Sequence, residues 1–304
     1  AIATNLPEIA IVVSAAASGD LSVAVGNILG GIALQTVVLA ALDAFGVGGE
    51  RGLTYRAASL VLVLEALLVV AILAVVTAGT QLPPDLVALN VTPDAVLIVA
   101  LWAAGLVVLK RAGTGLPWHE GGEAPDGQEV PRGHRKTEAE SAATERGVST
   151  ARAATIFTIA AVATLVSGVL LERSGSAIAD DIGLSGVLFG ATVLAAATSL
   201  PELSTGLTSV RKGDYGLAIS DIFGGNAFLP TLFLVATLLS GKAVLPEAQN
   251  TDIYLTAVAI LLTSVYAAGL LFRPKRKVAG MGLDSFVVLV LYAASVGGLF
   301  AIAG

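Results

Sequence analysis

The stretch AIATNLPE at residues 1–8 returns as AAATSLPE at residues 195–202, an offset of 194. The register continues at that offset: Gly19-Asp20 matches Gly213-Asp214, and GNILGG at 26–31 matches SDIFGG at 220–225. Over the 33 pairs from Ala1/Ala195 to Ala33/Ala227, 13 are identical. Alanine-rich sequence by itself does not place Thr-x-Leu-Pro-Glu, Gly-Asp and Gly-Gly together in register, so the chain carries an internal duplication.

Both copies lie in strongly apolar surroundings. Of the 304 residues, 55% are hydrophobic and 13% charged, and the mean hydropathy is +0.85. A soluble globular domain is nearer a quarter charged. The same arithmetic excludes a disordered chain, a coiled coil and a nucleic-acid binder. With no cysteine there is no disulfide and no thiolate metal site. The expected class is an all-α polytopic membrane protein.

Since roughly 20 apolar residues cross the hydrocarbon, complete spans are expected near 21–42, 57–78, 94–110, 153–171, 184–210, 217–240, 253–272 and 283–303, with residues 1–17 ending another. Met281 is the only methionine, and Ala1 opens on an apolar stretch without a basic region before it. The chain therefore reads as a fragment that begins inside a helix. Residues 111–152 are polar and rich in Gly, Pro, Glu and Arg, the composition of a solvated linker, with a short helix expected at Thr137–Arg146. His119 and His134 lie in it without a surrounding ligand cluster. Three segments follow: residues 1–110, a linker at 111–152, and residues 153–304.

Counting loops alternately, the set 46–56, 110–152, 211–212 and 273–277 holds 15 of the 17 Lys and Arg. The positive-inside rule then places the linker in the cytoplasm and the C-terminus outside, with the plasma (inner) membrane as the expected location. Five spans separate the two copies. An odd number means that they enter the membrane in opposite directions, as two inverted-topology repeats of five helices with the substrate site near the midplane. By this symmetry the first helix and the start of the second are missing, roughly 40 residues or more.

Within each copy, Thr4 and Glu8, or Thr198 and Glu202, stand four apart on one helix face. Pro7 and Pro201 lack an N–H and free the carbonyls of Ala3 and Ala197. A hydroxyl, a freed carbonyl and a carboxylate at one depth make a hard-oxygen ligand set. From Glu8 to Gly19 is about 16 Å of helix and from Asp20 back to Asn27 about 11 Å, so Asn27 is expected near Glu8, and Asp221 near Glu202. Burying such carboxylates costs roughly 3 kcal/mol each even on the insertion scale. Nothing basic lies in these spans to neutralise them, so metal ions or protons must do so. Oxygen ligands suit Ca²⁺ or Na⁺ rather than Zn²⁺ or Cu²⁺.

These residues resemble the two alpha repeats of the cation/Ca²⁺ antiporter superfamily, and its sodium/calcium exchanger branch in particular. The resemblance implies a transporter rather than an enzyme, one that exchanges Ca²⁺ for Na⁺ by alternating access and needs no cofactor. It implies a central Ca²⁺ site of Glu8, Glu202, Thr4 and Thr198, completed by Asn27 and Asp221, with Ala1, Asn5, Ala195 and Ser199 at flanking Na⁺ positions. The sequence departs from that pattern. Val23 and Leu217 replace small hydroxyl residues, Asn5 stands where Ser is usual, and Gly31-Ile32 replaces Ser-Asn. The flanks lose Na⁺-type ligands while the centre is intact, so Ca²⁺/H⁺ or Na⁺/H⁺ exchange stays open, and Asp221 points weakly to K⁺. An intramembrane aspartyl protease is a weaker alternative, because Gly19-Asp20 and Gly213-Asp214 fall at turns; so is a cation channel.

Three other features stand out. Glu65 lies mid-span and has no repeat counterpart, Ala259 occupying the matched position; it reads equally as a proton site or as a group bonded to a neighbouring helix. Asp20 and Asp214 read as helix caps. Arg211 and Lys212 mark topology.

Overall fold

The computed structural model describes residues 4–57, 59–117 and 194–303, with scattered positions between 155 and 174. Most of the expected span at 153–171, the linker helix at Thr137–Arg146, both histidines and Ala1 lie outside the described residues. In the first repeat, α1 (Leu6–Ser18), α2 (Leu21–Gly46), the short α3 (Leu53–Arg56), α4 (Leu60–Gly79) and α5 (Pro93–Ala112) follow in order. The second repeat has α6 (Ala195–Thr198), α7 (Leu200–Arg211), α8 (Tyr215–Phe228), α9 (Leu232–Ser240), α10 (Asn250–Phe272) and α11 (Leu283–Ala303). Among the described residues, five helical stretches are long and apolar enough to cross a membrane, with α8 and α9 counting as one.

The span expected at 217–240 is not one regular helix. Pro230 cannot donate a backbone hydrogen bond, and a 3-10 turn at Leu229–Thr231 separates α8 from α9. Among the described residues the β-structure is an isolated bridge between Ala88 and Val91 and a short hairpin in which Lys277 and Val278 pair with Gly282 and Met281 just before α11.

Duplicated sequence gives duplicated local structure. The turns between α1 and α2 and between α7 and α8 are superimposable in their dihedrals: Gly19 has φ 83° and Gly213 φ 82°. Asp20 (φ −90°, ψ 72°) and Asp214 (φ −92°, ψ 73°) follow them. A side chain is strained at the positive φ, which glycine adopts freely. Each aspartate accepts from a backbone N–H three residues on, Val23 or Leu217, and so caps its helix as expected.

Packing exchanges the repeats symmetrically. Helix α1 packs on α2 and α9, and α7 packs on α8 and α2. Likewise α8 lies on α4, α2 on α10, and α4 against α10. One apolar core runs through both repeats, with Ile28, Leu29, Ile32, Phe223, Phe233 and Tyr266 fully enclosed. Helix α5 is peripheral: Leu97, Val107 and Val108 are each more than half exposed, which suits a lipid-facing surface. At the end carrying the basic loops, the buried Asp43 carboxylate of α2 binds the two repeats together. Its Oδ1 accepts from Leu53 N (3.0 Å), and its Oδ2 accepts from Gly282 N (2.8 Å) and Ser285 Oγ (2.7 Å).

Candidate cation site

The prolines shape the site. Pro7 and Pro201 sit in the first turns of α1 and α7, where a missing N–H costs nothing. On the second-repeat side the helix breaks at Ser199, between α6 and α7. The Ala195 carbonyl takes donations there from Ser199 N (3.0 Å), Thr198 Oγ1 (3.2 Å) and Ser199 Oγ (2.7 Å). This oxygen, expected as a flanking ligand, is thus engaged by its own turn.

The two glutamates stand immediately after these prolines, at 0% exposure for Glu8 and 1% for Glu202. They are close enough for their charges to repel each other. The threonines are crossed between repeats: the Thr198 side chain lies against the Glu8 carboxyl, and the Thr4 side chain against that of Glu202. Among the described residues, Glu8 Oε2 and both oxygens of Glu202 have no partner meeting hydrogen-bond geometry. Buried oxygens in that condition cost free energy unless a cation or proton reaches them. No group of three or more His, Asp or Glu residues forms a metal cluster among the described residues; the centre is two carboxylates with hydroxyl and amide oxygens around them.

Glu8 Oε1 does have a partner, Gln35 Nε2 of α2 at 3.3 Å. Gln35 is fully buried. It stands two turns beyond Asn27, the residue expected to meet Glu8. Asn27 is also fully buried, and neither its side-chain amide nitrogen nor its oxygen finds a partner among the described residues. The Asn5 side chain belongs to the same cluster as Gln35. A Cβ placed on Gly225 would lie 3.2 Å from Asn5 Nδ2 and 3.7 Å from Gln35 Oε1, so α8 reaches the site through a residue with no side chain. One position on, Asn226 Nδ2 donates to Thr36 Oγ1 at 3.1 Å, tying α8 to α2.

Asp221 is placed differently from Asn27. It accepts from Thr205 Oγ1 at 3.0 Å and acts electrostatically on Glu202. It also lines a side cavity that includes Glu65. Glu65 bonds a neighbouring helix, accepting from Ser220 Oγ at 2.9 Å.

Sequence reasoning had not singled out Gln35, Thr36 or Asn226. Their signal was polarity inside apolar spans, but none is repeated at the matched position, where Leu229, Pro230 and Ile32 stand.

Comparison with known proteins bears on the family and the fold. The human sodium/potassium/calcium exchanger 1 is 36% identical over 78 residues, 24% of this chain and 7% of that protein. The matches span between 7% and 37% of the length of these curated relatives. Among solved structures, that of the H⁺/Ca²⁺ exchanger CAX is similar with a TM-score of 0.56 at 18% identity, over 97% of this chain and 76% of that one. The sodium-calcium exchanger NCX_Mj, soaked with Na⁺ and Sr²⁺, is similar with a TM-score of 0.53 at 17% identity, over 97% and 83%. At such identity the likeness establishes the fold alone. The family model described as "Sodium/calcium exchanger protein" matches residues 1–111 and 152–301. Its members are transporters, not enzymes, which removes the protease alternative. By that match over most of its length, the chain belongs to the sodium/calcium exchanger protein family.

Proposed function

We propose that this chain forms the transport core of an antiporter that exchanges Ca²⁺ for Na⁺ by alternating access, with Glu8 and Glu202 as the shared charge centre. The observation that carries this reading is the pair itself: two buried carboxylates, one from each repeat, with three oxygens lacking partners among the described residues, no Lys or Arg within α1, and in α7 only Arg211 at its far end. One Ca²⁺, or two monovalent cations, neutralises the pair. An empty, doubly ionised centre is costly in low dielectric, so it resists crossing between the two open states. Both ions therefore move only as exchange partners. Thr4, Thr198, Asn5 and Ser199 supply neutral oxygens near the centre, while Asn27 and Asp221 flank it on α2 and α8.

Proton coupling at the same centre is the second reading. Val23, Leu217 and Gly31 stand where small hydroxyl residues are usual, and an amide stands at Asn5, so the flanks lack oxygens that would hold Na⁺. The basic loops support an orientation with residues 111–152 in the cytoplasm and the C-terminus outside.

The test is radiolabelled Ca²⁺ uptake by the full-length protein in liposomes under an outward Na⁺ gradient or a pH gradient, with Glu202→Gln as the control. Na⁺-driven uptake that the control lacks supports the first reading, and uptake driven only by the pH gradient supports the second. Failure under both overturns Ca²⁺ as the substrate.

A further inference from the structure

Gln35 and Thr36 are neighbours on α2, Gly225 and Asn226 are neighbours on α8, and the two pairs meet. The side chains of Gln35, Thr36 and Asn226 are all fully buried. Asn226 Nδ2 donates to Thr36 Oγ1 at 3.1 Å and reaches the Ile32 carbonyl at 3.5 Å. Thr36 Oγ1 itself donates to the Ile32 carbonyl at 2.9 Å, so its own helix orients the hydroxyl and leaves its oxygen free to accept from α8. Asn226 Oδ1, by contrast, is buried with no hydrogen-bond partner among the described residues. A buried acceptor left unmade is costly. An apolar residue avoids that cost, as Ile32 does at the matched position of the first repeat. Filling the core therefore does not account for an amide at 226, and the bond made by its Nδ2 is what sets it apart.

We propose that Asn226 is a positioning residue of the cation centre: through Thr36 it sets the rotation of α2 that brings Gln35 against Glu8. The proposal rests on the antiporter reading given above. Consecutive residues of a helix point about 100° apart, so one rotational setting of α2 presents Thr36 to α8 and Gln35 to Glu8 of α1 together. A turn of about 20° about the axis moves a group about 6 Å from it by about 2 Å. The bond from Gln35 Nε2 to Glu8 Oε1 is already 3.3 Å long and does not survive such a shift. Gly225 supports the same setting, because its missing side chain lets α8 approach until a Cβ there would lie 3.7 Å from Gln35 Oε1. The second repeat lacks this device. Leu229 and Pro230 stand at the positions matched to Gln35 and Thr36, and neither oxygen of Glu202 has a hydrogen-bond partner among the described residues. Of the two carboxylates, Asn226 acts on Glu8.

The test is a double-mutant cycle on the purified full-length protein, read by equilibrium binding of radiolabelled Ca²⁺. Asn226→Leu removes the donor at similar volume and Thr36→Val removes the hydroxyl; each should bind Ca²⁺ about fivefold more weakly. Thr36→Ser keeps the hydroxyl and should stay within about twofold of wild type. In a Gln35→Leu background, where the group to be positioned is gone, Asn226→Leu should weaken binding by less than about twofold more. Effects that multiply, or unchanged affinity in Asn226→Leu and Thr36→Val, overturn the positioning role and leave the antiporter reading standing. Where Asn226→Leu is not recovered folded, Thr36→Val takes its place in the cycle. If wild type binds no Ca²⁺, the antiporter reading fails, and the melting temperatures of the same four proteins decide the rest: shifts that fall short of additive support the positioning of Gln35 by Asn226, and additive shifts overturn it.

Discussion

Gln35 donates its side-chain amide to Glu8 across 27 residues of chain, in a fully buried contact of 3.3 Å between α2 and α1. It is the one hydrogen bond to a carboxylate oxygen of the Glu8/Glu202 pair that meets strict geometry among the described residues. Its effect is to fix which way the Glu8 carboxyl turns, with Oε2 left as the oxygen that has no hydrogen-bond partner among the described residues. Gln35→Leu removes that restraint at nearly constant volume. A hydrogen bond to a charged group contributes about 1.5–3 kcal/mol, so the Ca²⁺ concentration for half-maximal exchange should rise about tenfold or more. Concentration-dependent Ca²⁺ uptake checks this, and an unchanged half-saturation would remove Gln35 from the site.

Glu8 and Glu202 should behave as a unit. Either Glu8→Gln or Glu202→Gln leaves one buried carboxylate, too little charge to hold Ca²⁺ and its counter-ions in turn. Exchange should stop while the protein remains folded, because the substitution also removes the repulsion between the pair. Ligand-dependent stabilisation gives a readout independent of transport. Ca²⁺ at about a hundred times its dissociation constant should stabilise wild type by about 2.7 kcal/mol, and neither variant should respond. A variant that melts at higher temperature with Ca²⁺, as wild type does, would contradict the assignment.

What could be read from the sequence, and what could not, follows from the repeat. Features present in both copies were legible: the Pro-Glu pairs, the capping aspartates, and the turns that now superimpose to within 2° in φ and ψ. Features present once were not. Gln35 faces Leu229 in the alignment and Asn226 faces Ile32, so symmetry gave neither a reason to stand out. Asn27 was selected by its depth, counted along the helices from Glu8; the structure puts Gln35 against Glu8 and gives Asp221 a second neighbour in Glu65's cavity. Helix spacing sets depth along the axis, but rotation about the axis decides which residue faces a partner, and side-chain length decides which one reaches it. The break at Leu229–Thr231 was visible as Pro230, but a proline within an apolar run is also compatible with a kinked continuous helix.

Asp43 offers a test of the fold apart from transport. It accepts three hydrogen bonds from both repeats, and Asp43→Asn leaves at least one of those donors facing an amide N–H. An orphaned buried donor costs about 1–3 kcal/mol, and the loss should appear as reduced stability to denaturant. Ser285→Ala removes one of the three donors and also leaves the buried Tyr266 hydroxyl, which donates to Ser285 Oγ at 3.3 Å, without that acceptor, so it should destabilise as well. If Asp43→Asn is as stable as wild type, the contact does not hold the repeats together.

Gly31 gives the sharpest handle on the coupling ion. It lies on α2 one turn before Gln35, so the two share a helix face, and a Cβ there meets no atom within 4 Å among the described residues. Gly31→Ser therefore adds a hydroxyl to the flank of the site with room to accept it, at a position where the sequence departs from the family's usual serine. In a helix interior, serine also replaces glycine favourably, by a few tenths of a kcal/mol. If missing flank oxygens weaken Na⁺ binding, the Na⁺ concentration that drives half-maximal Ca²⁺ exchange should fall several-fold in Gly31→Ser. It should stay put in Gly31→Ala, which fills the same space without an oxygen. Equal behaviour of the serine and alanine variants would show that packing, not ligation, acts at this position, and would favour coupling to protons over coupling to Na⁺.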